Sequence, residues 1–204
     1  MSNKPVIVFE GIEGSGKSYH ISTVSKYLKK KKINFIRLRE PGGSLNSEKI
    51  RKLILDKKSN FDKTTDLLLY LAARNENMKQ LNRFYKKKVI LIDRFVDSTI
   101  AYQHYGMGVD LKIIKKINDF LLKNIKVDFT FLNLVNNKNL KKRLKQRKKL
   151  NRYDKFKMHF YNKVQNGYIK LAKSKSKSYK IINSNLDIKE NEYSIIEQIK
   201  KLIK

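Results

Sequence analysis

The sequence predicts an α/β fold of three layers (α/β/α), a five-stranded parallel sheet flanked on both faces by helices. Three observations carry this. Short runs rich in Val, Ile and Phe recur along the chain, helix-length amphipathic stretches separate them, and a glycine-rich loop follows the first run at once. Runs of that length and composition fit strands buried on both faces, and their alternation with helices implies right-handed parallel crossovers.

Taken in order, residues 6–10 form the first strand, and 17–30 the first helix, with Ile21, Val24, Tyr27 and Leu28 at spacings of three and four. Residues 35–39 form the second strand and 48–55 a short helix. A long helix over 64–85 turns Leu67, Leu68, Leu71, Met78 and Leu81 to one side. The third strand is 89–93, followed by a helix over 111–122 with Ile113, Ile114, Ile117 and Leu121. The fourth strand is 129–134, with helices over 139–147 and 155–172 after it. Residues 173–178 read as a solvated turn, 179–182 as a weaker fifth strand and 190–203 as the last helix.

At 204 residues, with no repeat and no Gly/Pro/Ser linker, the chain is expected to be one domain. No apolar run approaches the roughly 18 residues of a membrane span. With no cysteine and no signal-peptide pattern, a soluble cytoplasmic protein without membrane attachment is expected. The net charge of +30 admits two readings. Lysines can bind a polyanion by counterion release, or they can reflect a bias toward Lys, Asn and Ile at permissive surface sites. A basic nucleic-acid-binding ATPase stays open on this ground, although no specific nucleic-acid partner is expected.

The loop Gly11-Ile12-Glu13-Gly14-Ser15-Gly16-Lys17-Ser18 fits G-x-x-x-x-G-K-[ST], between a strand and a helix as that motif requires. Glycines let the backbone turn its N–H groups onto phosphate oxygens. Lys17 reaches the β/γ-phosphates and Ser18 offers its hydroxyl to Mg²⁺. A purine nucleoside triphosphate with Mg²⁺ and a P-loop fold follow. The loop does not name the acceptor, which could be water or a small phosphate ester.

In parallel sheets ligands bind beyond the carboxyl ends of the strands. Arg39-Glu-Pro-Gly-Gly43 follows the second strand, and Asp93-Arg94-Phe95, then Ser98-Thr99-Ile-Ala-Tyr102-Gln103, follow the third. Asp93 can hold Mg²⁺ or its water shell. Arg39 and Arg94 can each fork onto an anion, and together they suggest a second phosphate, that of the acceptor.

These motifs, with Ala72-Ala-Arg74, resemble those of the bacterial thymidylate kinase family in order and spacing from residue 6 to about 106. The resemblance implies transfer of phosphate from ATP to dTMP. It implies that Tyr70 stacks on thymine, that Arg74, Thr99 and Gln103 address the base edge beside Ser98, and that Tyr102 crowds the sugar 2′ position. Glu13 would lie near the acceptor sugar and the metal, and Arg39 and Arg94 would clamp the acceptor phosphate. A mobile basic lid is implied over about 141–155, with an arginine substituting for one that the eukaryotic type carries in the phosphate loop. Which of Arg143, Arg147 and Arg152 reaches ATP is open, because Asn151 stands where that family usually has Asp. A homodimer is implied too, with the helix over 64–85 contributing. Another monophosphate, such as dUMP or dGMP, is the nearest rival acceptor.

Overall fold

The computed structural model describes residues 4–147 and 150–203. Five strands, β1 (Val6–Glu10), β2 (Phe35–Arg39), β3 (Val89–Asp93), β4 (Phe129–Leu134) and β5 (Tyr179–Asn183), pair in parallel in the order β2-β3-β1-β4-β5. The glycine loop therefore leaves the middle of the sheet, with β3 on one side and β4 on the other. In register, Phe9 lies opposite Asp93 on β3 and Phe131 on β4, and Arg39 lies opposite Asp93 on β2.

Alternation along β1 divides the core between the two faces. Ile7 and Phe9 pack with Ile21, Val24 and Leu28 of α1 (Lys17–Lys30) and with Ile195 and Ile199 of α8 (Ile188–Leu202). Val6 and Val8 face the other way, onto Met78 and Leu81 of α3 (Lys63–Phe84). Leu132 of β4 packs with α2 (Leu45–Leu55), α6 (Asn137–Lys145) and α7 (Met158–Ser174), and Leu122 of α5 (Leu111–Leu122) joins Val6 and Val8.

Where helix starts differ from the sequence reading, a capping side chain decides. Ser44 accepts from Ser47 N, and Asp62 from Thr64 N and Thr65 N. Asn136 accepts from Asn139 N, and Asp187 from Lys189 N and Glu190 N. Each draws its helix one to three residues earlier than expected. The opposite happens before α7, where Asn151 and Asp154 form a capping box around the 3₁₀ turn Arg152–Lys155. Lys155 closes that turn, and α7 starts three residues later than expected, at Met158.

The helical stretch 96–106 has no counterpart in the sequence reading. After a single turn, α4 (Val96–Thr99), the chain continues as a π-helix over Ile100–Gly106. Gly106 lets it lie against α7: a Cβ there would meet the Phe160 ring at 2.7 Å. Among the described residues no helix is long and apolar enough to cross a membrane. Lys148 and Lys149, inside the expected lid, lie outside the described residues.

Candidate active site

The glycine loop turns between β1 and α1 with Gly11, Gly14 and Gly16 all at positive φ. Gly11 has no alternative: at φ 136 a Cβ would sit 2.4 Å from the carbonyl oxygen of Asn133. Ile12 faces the apolar core at 1% exposure, so only its backbone serves the loop. Lys17 Nζ donates to the carbonyls of Gly11 at 2.9 Å and Ile12 at 2.8 Å and lies 3.5 Å from Ser15 Oγ. Burial, with Arg94 adding to it, lowers the Lys17 ammonium to about 8.

Beside the loop opens a cleft of about 350 Å³. Glu13, Gly14, Lys17, Ser18, Tyr70, Arg74, Asp93, Arg94, Ser98, Thr99, Tyr102, Gln103 and Arg147 all line it. Most of the residues singled out in the sequence thus meet in one place, from four separate stretches of chain. Arg94 adopts φ 65, a left-handed conformation uncommon for a side chain of its size, at the turn leaving β3. Its guanidinium donates to Gly11 O at 2.8 Å and Glu13 Oε1 at 2.9 Å. Tyr102 donates to the other Glu13 oxygen at 2.5 Å. Burial alone would raise the Glu13 carboxyl, but Arg94, Lys17 and Tyr102 together hold it below its ordinary range. Glu13 therefore stays ionised and joins the phosphate loop to the Arg94 turn.

Ser18 Oγ lies 3.4 Å from Asp93 Oδ2, and Asp93 Oδ1 is buried without a partner. An orphaned carboxylate oxygen beside a hydroxyl suits a hard divalent cation that takes its remaining ligands from phosphates and water. Arg74 is held rigidly. It donates to Glu40 Oε2 at 2.7 Å, Asn118 Oδ1 at 2.5 Å and Thr99 Oγ1 at 3.0 Å, with Phe95 packed under its guanidinium. The Ser98 hydroxyl is committed to Glu10, at 2.5 Å, and to Tyr168. Glu10 is fully buried and also accepts from Phe95 N, which braces the turn carrying Arg94.

Two expectations are corrected. Arg39 does not line the cleft. It is 52% exposed at the end of the edge strand β2, and Glu48 takes both its Nε and Nη2. Glu48 reaches it because α2 begins early, at the Ser44 cap. Arg51 of α2 lines the cleft instead. Arg51 was missed, although Ser47, Arg51 and Ile54 fall on one helical face and an arginine on an otherwise buried face requires an anionic partner.

Arg152 is the second correction. It pairs with buried Asp66 on α3, away from the glycine loop. Arg143 touches the loop, donating to Gly14 O at 2.8 Å and Ser184 O at 2.7 Å. Arg147 lines the cleft and pairs with Asp154. A second cavity of about 270 Å³ lies across the loop, lined by Gly14, Gly16, Tyr19, His20, Arg143, Ser184 and Asn191.

The model of a family described as thymidylate kinase matches residues 9–195. A thymidylate kinase of Thermosipho africanus is 38% identical over 195 residues, covering 95% of this chain and 96% of that protein. One of Ligilactobacillus salivarius is 39% identical over 189 residues, covering 89% and 91%. The crystal structure of thymidylate kinase from Ehrlichia chaffeensis superposes with a TM-score of 0.78 at 30% identity, covering 97% of this chain and 99% of that one.

Proposed function

The chain belongs to the thymidylate kinase family, and from that premise we propose that its cleft transfers the γ-phosphoryl group of ATP to dTMP, giving ADP and dTDP. The observation that carries the reading is the meeting of the phosphate loop, Arg94, Tyr70 and Gln103 around one cavity. Because Gly14 lines both cavities, a triphosphate laid along the loop has its nucleoside end beside Arg143 and His20 and its γ-phosphate in the cleft.

An oxygen of the acceptor phosphate forms a bond to the γ-phosphorus as the bond to the β–γ bridging oxygen breaks. The acceptor needs no general base, since a phosphate monoester is largely dianionic near neutral pH, its second pKa being about 6. The loop N–H groups and Lys17 hold the donor phosphates, and Arg94 holds the charge passing between donor and acceptor. Ser18 and Asp93 are the residues that would hold Mg²⁺, which neutralises phosphate charge. Arg143 and Arg147 are the lid arginines whose contacts support a role toward ATP. Tyr70 supplies the face for the base, and Arg74 with Thr99 supplies donors at its edge. Tyr102, tied to Glu13, stands where a 2′-hydroxyl would have to fit. Homodimer formation through α3 is part of the same proposal, and Leu68, 54% exposed, is the large apolar side chain left free on it.

A coupled ADP-release assay across nucleoside monophosphates tests the activity: dTMP is expected to be the preferred acceptor, and ADP release no faster with dTMP than with water alone would reject it. The two arginines of the corrected clamp separate in the same assay. Arg51→Ala should raise KM for dTMP ~10- to 100-fold, the worth of a charge-assisted hydrogen bond. Arg39→Ala should change it less than ~3-fold, because its partner is Glu48. The reverse order would restore Arg39 to the site.

A further inference from the structure

We propose that Asp66 is a positioning residue that fixes the polarity of the Gln103 amide, so that the acceptor site presents a carbonyl oxygen to an N–H on the base edge. This deepens the reading of the cleft as a pyrimidine monophosphate site and rests on it. An ionised carboxylate only accepts hydrogen bonds, so Gln103 must turn its NH₂ group toward Asp66, and Nε2 donates to Oδ2 at 2.9 Å. That leaves Gln103 Oε1 buried and without a partner on a residue that lines the cleft at 1% exposure. A buried carbonyl with no donor is costly, and a ligand N–H satisfies it.

Asp66 is itself held in the accepting state. It is 1% exposed on α3, where the Tyr153 hydroxyl donates to Oδ2 at 2.9 Å and the Arg152 guanidinium pairs with Oδ1. Both come from the 3₁₀ turn Arg152–Lys155, so one turn supplies two donors that hold the Asp66 carboxylate in place. Arg74, which lines the same cleft and bonds Thr99 four residues before Gln103, can only donate. An acceptor beside a donor matches the N3–H and O4 of thymine. It opposes cytosine, whose N3 is a bare acceptor and whose C4 substituent is a donor. Asp66 thus selects bases through Gln103 without touching them.

The test compares kcat/KM for dTMP, dCMP and N3-methyl-dTMP in the natural protein, Asp66→Asn and Asp66→Glu, with folding checked by thermal melting. The natural protein should prefer dTMP over N3-methyl-dTMP by ~100-fold or more. In Asp66→Asn the new amide can donate or accept, Gln103 is free to turn, and both preferences for dTMP should narrow ~10-fold or more. Asp66→Glu, which keeps an acceptor-only partner, should retain them better. A folded Asp66→Asn protein that is slower yet keeps its base ratios would reduce Asp66 to a structural residue and overturn the proposal. Equal use of N3-methyl-dTMP and dTMP by the natural protein would overturn it even if the variants did not fold. A natural protein inactive on dTMP would overturn the reading beneath it, a separate outcome.

Discussion

Replacing Arg94 with alanine should lower kcat for phosphoryl transfer to dTMP by ~10²–10³-fold, the loss typical of one preorganised donor to transition-state charge. The guanidinium is fixed by Gly11 O and Glu13, and its backbone is already set in the left-handed region, so no reorganisation is needed during transfer. The substitution also strands Glu13. Breaking one side of a fully buried pair costs about 3–5 kcal/mol, but Glu13 is 16% exposed and loses the strongest of the charges holding it ionised, so it can take up a proton. The folded state is therefore retained, with a lower Tm. Steady-state kinetics with circular dichroism separates the two effects; near-normal turnover in a folded variant would remove Arg94 from the reaction.

Lys17→Met should be nearly as severe, again ~10²–10³-fold in kcat, because it removes the cation nearest the donor phosphates. It carries a second signature. In the free protein Lys17 lies at about 8, lowered by burial and by Arg94. A polyphosphate in the loop favours the charged form and raises it again. Above pH 8 the free side chain is largely neutral and the bound one charged, so ATP binding takes up protons. At pH 6.5 both are charged and uptake from this group vanishes. Calorimetry in buffers of different ionisation heat should show uptake near pH 9, absent in Lys17→Met. Uptake that survives the substitution would assign the proton elsewhere.

The sheet and the phosphate loop were legible because each follows from local chemistry. Val/Ile/Phe runs mark strands buried on both faces, and the strand boundaries of 6–10, 35–39, 89–93 and 129–134 match the structure. Helix starts were less so, since the sequence reading followed apolar spacing and passed over the caps at Ser44, Asp62 and Asn136. The π-helix was not legible at all. Ile100–Gly106 has no 3.6-residue apolar stripe, and what stabilises it is tertiary packing against Phe160 and Val164.

The site divides along the same line. Residues in or beside motifs, such as Lys17, Asp93, Arg94 and Gln103, reach the cleft because strand ends and the turns after them converge there. Arg39 sits in the motif too, but whether a strand-end side chain turns inward depends on competing partners, and Glu48 was invisible as a partner until α2 was placed against β2. Arg51 and Asp66 were missed for the converse reason. Neither lies within a recognised motif, and the role of each comes only from what packs opposite. Arg152 illustrates both, since a basic stretch says that a cation is present and nothing about which anion it meets.

Donor and acceptor phosphates are expected to meet between the glycine loop and Arg94, with the base held against Tyr70. A crystal structure with dTMP and a non-hydrolysable ATP analogue tests it most directly. The acceptor phosphate should lie within hydrogen-bond distance of the Arg94 and Arg51 guanidinium groups, and the thymine ring on Tyr70 with its N3–H on Gln103 Oε1. An acceptor phosphate bound by Arg39 outside the cleft, or a thymine seated beside His20 across the loop, would contradict it.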